Sequence, residues 1–263
     1  MFSNTNIDNP KIVNLIRTNK ILCIIHLVQA LAIIILSTNA KFPITQAFQK
    51  FDDKTQSLQA ATRPIFEFQL SYAVALFFLV SSVAHFYVGW LRPKCYVEDL
   101  NQGINKARWY EYGISASIMM VAIAMLAGME DFSSLIMIFA LTFLMNMTGY
   151  IMETHNSKDK TPNWFSFKIG SIAGIIPWFV IAIYFWASET AASTSGNSIP
   201  TFVYFIFISI FIFFNCFAIN MILQYKKIGK WSDYLYGERI YMMLSLVAKS
   251  LLAWQIFFGT LRP

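Results

Sequence analysis

Seven long apolar runs constrain what this chain can fold into more than any other feature of its sequence. Each run has about the 20 mostly apolar residues that a helix needs to cross a bilayer. Because 57% of the chain is hydrophobic and only 13% is charged, against about 25% charged in soluble domains, the excess apolar surface must face lipid. The sequence therefore predicts an all-α bundle of seven transmembrane helices, a single multi-pass membrane domain with spans at residues 21–37, 68–91, 109–128, 133–151, 169–187, 201–225 and 235–259.

Basic residues are distributed unevenly among the connections between these runs. Of the 20 Lys and Arg residues, 14 lie in the N-terminal segment and in the second, fourth and sixth connections, when Arg239 is counted with the sixth. Five lie in the other connections and the C-terminal tail. Because Lys and Arg mark cytoplasmic loops, we predict a cytoplasmic N-terminus and an extracellular C-terminus. The net charge of +6 then reflects topology, and no nucleic-acid partner is expected.

The first connection, residues 38–67, is the one long connection on the predicted extracellular side. Its short mixed stretches, such as FPIT at 42–45 and FQKF at 48–51, predict a small ordered cap, for which a hairpin is one candidate. The sequence contains no internal repeat, metal-ligand spacing, nucleotide-binding loop or catalytic triad. We therefore expect neither a metal site nor an enzyme.

One basic residue, Lys249, lies near the middle of the seventh run, ten residues from Arg239 and ten from Gly259. Roughly 15 Å of apolar helix on either side is too far for the side chain to reach water comfortably. Since a bare ammonium at this depth costs about 2.5–3.5 kcal/mol on insertion scales, the lysine must lose its proton, pair with a carboxylate or react. Desolvated lysine amines form Schiff bases with carbonyl compounds. A lysine that faces a water-filled cavity or joins two helices is the alternative.

Several polar residues lie at a similar depth in the predicted cytoplasmic half. Glu111 is the carboxylate best placed to act as a counterion for a buried cation. Arg108 could compete for it, but we expect Arg108 to point to the interface, because Trp109 and Tyr110 mark the headgroup level. A single histidine in a span is more often a hydrogen-bonded residue of helix packing. Two histidines at the same depth as a carboxylate and a buried amine indicate a cluster that binds and transfers protons. The other members of this predicted cluster are His26, His85, Ser81, Ser115 and Ser245.

Four further acids lie near the ends of the predicted helices. Glu67 and Glu189 are on the predicted extracellular side, and Glu153 and Glu238 are on the cytoplasmic side. Glu238 precedes Lys249 by eleven residues, so both project from nearly the same helix face. Solvated helix ends and a proton path are both open interpretations of these acids.

Several segments resemble those of one family, the heliorhodopsins. The segment LSLVAKSLLAWQIF at 244–257 is similar to that family's retinal-lysine segment, and RWYEY at 108–112 to its counterion segment. IHLVQ at 25–29 and AHF at 84–86 are similar to its two histidine sites. Further similar segments are IAGIIPW at 172–178, FFN at 213–215, GKWSDY at 229–234 and GER at 237–239. The resemblance covers nearly the whole chain.

This resemblance implies all-trans retinal bound to Lys249 as a protonated Schiff base, Glu111 as its counterion and isomerisation by light. It also implies the inverted topology that the basic residues indicate independently, and homodimers in which the first extracellular connection takes part. The implied role is photosensory, acting on an unidentified cytoplasmic partner. Light-activated proton transport through the helix-end acids, above all Glu189, is the alternative. A receptor or transporter without a chromophore is a remoter one.

Aromatic and flexible apolar side chains of the third to seventh helices are expected to form the walls of the retinal pocket. Ordinary helix packing is the alternative for each of them. The candidates are Met119, Met145, Pro177, Trp178, Phe214, Phe217 and Trp254.

Overall fold

A computed structural model of the chain describes residues 9–156 and 161–263. Within these residues, seven helices are long and apolar enough to cross a membrane, so the predicted number of spans is confirmed. The helices are numbered in chain order, and α3 is a short helix, Pro93–Asn101, between the second and third spans. The spanning helices are α1 (Pro10–Leu36), α2 (Leu70–Leu91), α4 (Lys106–Leu126), α5 (Phe132–Asn156), α6 (Phe165–Thr194), α7 (Thr201–Tyr225) and α8 (Tyr234–Leu261).

Several helices extend beyond the apolar runs that predict them. The α1 helix begins at Pro10, eleven residues before the predicted start, because Asn9 caps it and proline is favoured in the first turn. Side chains of Asn105 and Asp233 cap α4 and α8 in the same way. The end of α6 at Thr194 lies seven residues past the predicted boundary. Hydropathy thus predicts the part of each helix that can cross lipid, and the caps decide where the helix begins.

The connection between α1 and α2 is a two-stranded antiparallel hairpin. Strand β1 spans Lys41–Asp52 and strand β2 spans Ser57–Gln69, and the register shifts once, between Ile44 and Thr45. The chain is therefore mostly helical, and the hairpin named from the sequence as one candidate for this connection is present. The apolar stretches in this connection are short and alternate with polar residues. That pattern favours a strand over a helix with one buried face.

The hairpin is attached to the connection between α4 and α5. The backbone N–H of Thr45 donates to the carbonyl of Glu130 at 2.9 Å, and that of Ala47 donates to Asp131 Oδ1 at 3.2 Å. Asp131 also accepts hydrogen bonds from the backbone and side chain of Ser134 at 2.9 Å. These bonds, led by the one from the Ser134 backbone, hold the pKa of the Asp131 carboxyl below its ordinary value. One carboxylate therefore joins the hairpin to the start of α5.

Burial differs greatly among the spanning helices. In α4, 67% of the most apolar stretch is buried, against 17% in α7. The surface of the bundle is formed by large apolar side chains, among them Ile35, Phe179 and Trp186, which are 76%, 68% and 74% exposed. Such a surface suits lipid rather than water, and the seven spans indicate an integral, multi-pass membrane protein. The α4 helix, which carries Glu111, is the most enclosed of the seven.

Candidate functional site

Lys249 forms a buried ion pair with Glu111. The lysine is 3% exposed, and its Nζ donates to Glu111 Oε1 at 2.7 Å. The same Nζ lies 2.6 Å from the Oγ of Ser245, one turn earlier on α8. A buried ammonium is tolerated when a carboxylate and further hydrogen bonds compensate for its lost hydration. The contact joins α8 to α4 at the centre of the bundle.

Two more hydroxyl groups hold the Glu111 carboxylate. Ser81 of α2 donates to Oε1 at 2.6 Å, and Ser115, one turn along α4, donates to the same oxygen at 2.8 Å. Each added donor stabilises the negative charge and fixes the side chain in one orientation. The predicted grouping of Ser81, Ser115 and Ser245 around Lys249 and Glu111 is thus present in the structure.

The two histidines lie side by side next to this group. The rings of His26 on α1 and His85 on α2 stack, with centroids 5.4 Å apart and planes at 6°. His85 Nδ1 is 2.7 Å from Asn19 Oδ1. Both ring nitrogens of His26 are buried and have no hydrogen-bond partner within residues 9–156 and 161–263. His26 is therefore a buried polar group with unused hydrogen-bonding capacity.

A small cavity of about 30 Å³ adjoins the ion pair on its polar side. Since a water molecule needs roughly 10–15 Å³ of such volume, the cavity has room for about two. Several polar side chains line it, including Glu111, Ser245, His85, Asn105 and Arg108. The cavity connects the neighbourhood of Lys249 to a second buried cluster.

Arg108 is the centre of that second cluster, and the prediction that it points to the interface is wrong. It is 7% exposed, and its guanidinium donates to Glu238 and, at 2.6 Å, to Glu153 Oε1. Glu153 on α5 and Glu238 on α8 are 3% and 0% exposed, so neither is a solvated helix end. Trp109 also points inward, and its Nε1 donates to Glu153 Oε2 at 2.5 Å.

An apolar cavity of about 420 Å³ opens on the other side of Lys249. Ligand pockets are typically about 300–1,000 Å³ and mostly apolar. Four of the predicted wall residues line the cavity, namely Met119, Met145, Phe214 and Phe217. The cavity is also lined by residues that the sequence did not predict as wall residues, including Tyr112, Asn146, Gly174, Asn215 and Tyr241. Their positions depend on how the helices pack, which hydropathy does not reveal.

Three predicted wall residues, Pro177, Trp178 and Trp254, are not among the described residues that line this cavity. Phe214 lies between it and Trp178, with the two ring centroids 5.7 Å apart. Trp254 follows Lys249 by five residues, so it projects about 140° away around the helix. Its Nε1 is 3.3 Å from Gln29 Oε1 on α1. The proposed roles of Pro177, Trp178 and Trp254 in the retinal pocket therefore stay predictions.

Two of the four helix-end acids lie far from the clusters, at the hairpin end of the molecule. Glu67 pairs with Lys41 across the base of the hairpin at 2.7 Å, where both are exposed, and its hydrogen bond raises the pKa of Lys41. Glu189, near the end of α6, accepts a hydrogen bond from the hydroxyl of Tyr204 on α7 at 2.5 Å. The structure thus brings together Glu153 and Glu238 but neither Glu67 nor Glu189.

Comparison with known proteins identifies the family. The family model described as Heliorhodopsin matches residues 15–261. The chain belongs to the heliorhodopsin family. Membership supports a retinal light-sensing protein, and retinal with its Schiff-base linkage follows from the family rather than from any bound group. It also indicates a photoreceptor rather than a classical enzyme.

The fold of the chain is similar to that of a solved structure. The crystal structure of a light-driven proton pump from Leptosphaeria maculans superimposes with a TM-score of 0.61, covering 92% of this chain and 94% of that one, at 14% identity. An identity this low shows the shared rhodopsin-like fold and nothing about transport. No curated protein matches the chain significantly.

Proposed function

We propose that this protein is a light sensor that binds all-trans retinal covalently at Lys249 and uses Glu111 as the counterion. The observation that carries the proposal is the position of Lys249 Nζ, between an apolar cavity of about 420 Å³ and a buried carboxylate. When bound, retinal supplies absorption of visible light and a change of shape on isomerisation. The cavity suits it because the walls are apolar and the one buried amine lies at their polar edge.

In this proposal the chain's own residues hold a proton at Lys249 Nζ in the dark. Glu111 offsets the positive charge, and the hydroxyls of Ser81 and Ser115 keep the carboxylate oriented toward the nitrogen. Displacement of Nζ from Glu111 would weaken the interaction that retains the proton. The proton then moves to the polar cluster that contains Ser245 and the two histidines.

His26 and His85 are the proposed acceptors nearest to the ion pair. His85 lines the small cavity together with Glu111 and Ser245. His26 has two buried ring nitrogens without a partner in the described part of the chain, so one of them can take a proton without breaking a hydrogen bond. This capacity supports a proton that shuttles inside the protein and returns.

Reconstitution with all-trans retinal tests the proposal. The purified protein should acquire a visible absorption band, and Lys249→Ala should abolish it, because no other amine lines the cavity among the described residues. Lys230→Ala, which removes an exposed lysine, is the matched control and should keep the band. A band that survives Lys249→Ala would refute the attachment site, and a wild-type protein without any band would refute the retinal proposal.

The proposed membrane orientation has a cytoplasmic N-terminus, an extracellular hairpin and an extracellular C-terminus. The distribution of basic residues supports it, although two of those counted, Lys158 and Lys160, lie outside the described residues. Cys95 on α3 is a free, exposed thiol on the proposed cytoplasmic side. A membrane-impermeant maleimide should label it only in permeabilised cells, whereas Ser57→Cys in the hairpin should be labelled in intact cells. The opposite labelling pattern would show that the proposed orientation is wrong and that the hairpin is cytoplasmic.

We further propose that the protein forms a homodimer through the hairpin and signals to a cytoplasmic partner. The hairpin exposes large apolar side chains, including Phe48, Phe51 and Leu58 at 42%, 50% and 61%, which favours a protein contact. Cross-linking through Ser57→Cys should then yield a disulfide-linked dimer in membranes. A strictly monomeric product would contradict the dimer.

Light-activated proton conductance is the second candidate function. It is favoured by the Tyr204–Glu189 hydrogen bond, which holds a carboxylate at the hairpin end of the bundle. The part of α8 between Lys249 and that end counts against conductance. Its residues Leu252, Ala253 and Ile256 are fully buried and apolar, so they offer no groups that could carry a proton. Voltage-clamp recording under illumination separates the two functions. A photocurrent that reverses with the proton gradient and is lost in Glu189→Gln means conductance, and silence in a well-expressing cell favours sensing.

A further inference from the structure

The cluster around Arg108 holds more negative than positive charge. Its guanidinium is paired with two carboxylates, Glu153 and Glu238, and all three side chains are buried. Among the described residues, Arg108 is the one cation that forms an ion pair with either acid. One negative charge is therefore left over when both acids are ionised. Because an unpaired buried charge is costly, a single added proton would relieve the cluster.

The two carboxylates differ in how many donors they already accept. Glu153 accepts four hydrogen bonds, from the backbone of Asn105 and the side chains of Arg108, Trp109 and Tyr234. Glu238 accepts two, one on each oxygen, from Arg108 and from Asn105 Nδ2 at 2.7 Å. An ionised carboxylate offers about four acceptor positions. Glu238 can therefore bind a proton without losing a donor, and Glu153 cannot.

Glu238 is also connected to the Lys249 site. It lies three turns before Lys249 on the same face of α8, at roughly 16 Å along the helix axis. The small cavity of about 30 Å³ lies between the two clusters, because Glu111 and Ser245 line one part of it and Asn105 and Arg108 line another. Asn105 then donates directly to Glu238. Cavity water and these side chains can form a hydrogen-bonded path between the two clusters.

We propose that Glu238 is the terminal proton-binding site of the Lys249 cluster, which deepens the proposed function and rests on it. The N–H bond at Lys249 Nζ breaks with its electron pair remaining on nitrogen, and after relay through the cavity an O–H bond forms on the Glu238 carboxylate. The Arg108 cluster changes from one net negative charge to none, and the Lys249–Glu111 pair changes from no net charge to one negative charge, which the hydroxyls of Ser81 and Ser115 stabilise. Since Arg108, Glu153 and Glu238 join α4, α5 and α8, this change alters the contacts among three helices at the same end of the bundle.

Infrared difference spectroscopy on the retinal-loaded protein tests the proposal. Illumination should produce a protonated-carboxyl C=O stretching band as Lys249 Nζ loses its proton. The band should be absent in Glu238→Gln and shifted, but still present, in Glu238→Asp. Glu98→Gln, which removes an exposed carboxylate on α3, is the control and should leave the band unchanged. A band that persists in Glu238→Gln, or deprotonation of Lys249 without any carboxyl band, would overturn the proposal.

A second measurement uses the protein without retinal and does not depend on photochemistry. An infrared pH titration in the dark should show a buried carboxyl that gains a proton in the wild type and is missing in Glu238→Gln. If Glu238→Gln does not fold, the shift of the carboxyl band in Glu238→Asp is sufficient to test whether Glu238 is the group that gains the proton. If the wild type takes up no retinal but shows this titration, the proposed function is refuted and the proton-binding role of Glu238 still stands. Identical titrations of wild type and Glu238→Gln would overturn that role.

Discussion

Two buried ionic clusters lie three turns apart along α8, and they differ in charge balance. At Lys249 one cation faces one carboxylate, and three serine hydroxyls complete the hydrogen bonding. At Arg108 one cation faces two carboxylates. Removal of the proton from the balanced pair leaves Glu111 as a buried charge without a cationic partner, so the pair holds its proton as long as Nζ stays beside the carboxylate. An unbalanced cluster has room for a proton, so the first suits a place where a proton is held and the second a place where it is received.

Replacing Arg108 should have the largest effect, because it leaves two like charges buried together. Removing one partner of a buried ion pair typically costs about 3–5 kcal/mol, and we expect Arg108→Gln to fall in or above that range. Thermal unfolding of the detergent-solubilised protein measures the loss. The double variant Arg108→Gln/Glu238→Gln removes one of the two carboxylates and should recover part of the stability. If the double variant is less stable than the single one, the two acids do not repel each other as the charge count requires.

Replacing Glu111 should have the next largest effect, and on colour rather than on stability alone. Glu111→Gln leaves Lys249 Nζ without its one buried counterion, while the hydroxyls of Ser81, Ser115 and Ser245 remain nearby. We expect the pigment either to shift strongly to the red or to lose the proton at Nζ at neutral pH. Absorption spectra across a pH series measure both. An unchanged spectrum with an unchanged deprotonation pH would rule out Glu111 as the counterion, and Glu98→Gln serves as the control.

Depth along the helices was enough to predict the balanced cluster. Lys249, Glu111 and Ser245 could be brought together from sequence because alternate spans run in opposite directions, so equal distance from the same end of the bundle means equal depth. Charge burial adds a second constraint, since a mid-membrane ammonium must find a partner and Glu111 is the carboxylate at its level. The family resemblance points to the same residues.

The unbalanced cluster could not be predicted in the same way. The aromatic neighbours of Arg108 favoured an interfacial position, which is sound reasoning for a single helix. The two acids that enclose Arg108 come from α5 and α8, and their convergence depends on the rotation of each helix about its axis. Trp254 shows the same difficulty on a smaller scale, since its distance from Lys249 along the sequence gives its depth, whereas its angle around α8 turns it toward α1.

Substitution of Gly174 should have a moderate effect on retinal uptake. A Cβ at this position would lie 2.5 Å from Met145 Sδ and 3.2 Å from the Phe214 ring, both of which line the apolar cavity. Because Met145 is flexible, we expect Gly174→Ala to push it into the cavity and lower retinal occupancy several-fold without unfolding the protein. The ratio of visible to protein absorbance after reconstitution measures this. Ile172→Val, at a 59% exposed position on the same helix, should leave the ratio unchanged.

Substitution of Asp131 should have the smallest effect, confined to the hairpin and dependent on pH. The pKa of Asp131 lies below its ordinary value of 3.8, chiefly because of the hydrogen bond from the Ser134 backbone. A lowered pKa in the folded protein means that the carboxylate stabilises the attachment above the ordinary pKa and ceases to do so as the pH falls through the folded one. Hydrogen exchange at the Ala47 amide, which donates to this carboxylate, should therefore be faster in Asp131→Asn than in the wild type at neutral pH, with the difference vanishing in strong acid. The ion clusters lie in the membrane-spanning helices and should not respond to this change, so a shift of the visible band in Asp131→Asn would show that the hairpin and the Lys249 site are coupled.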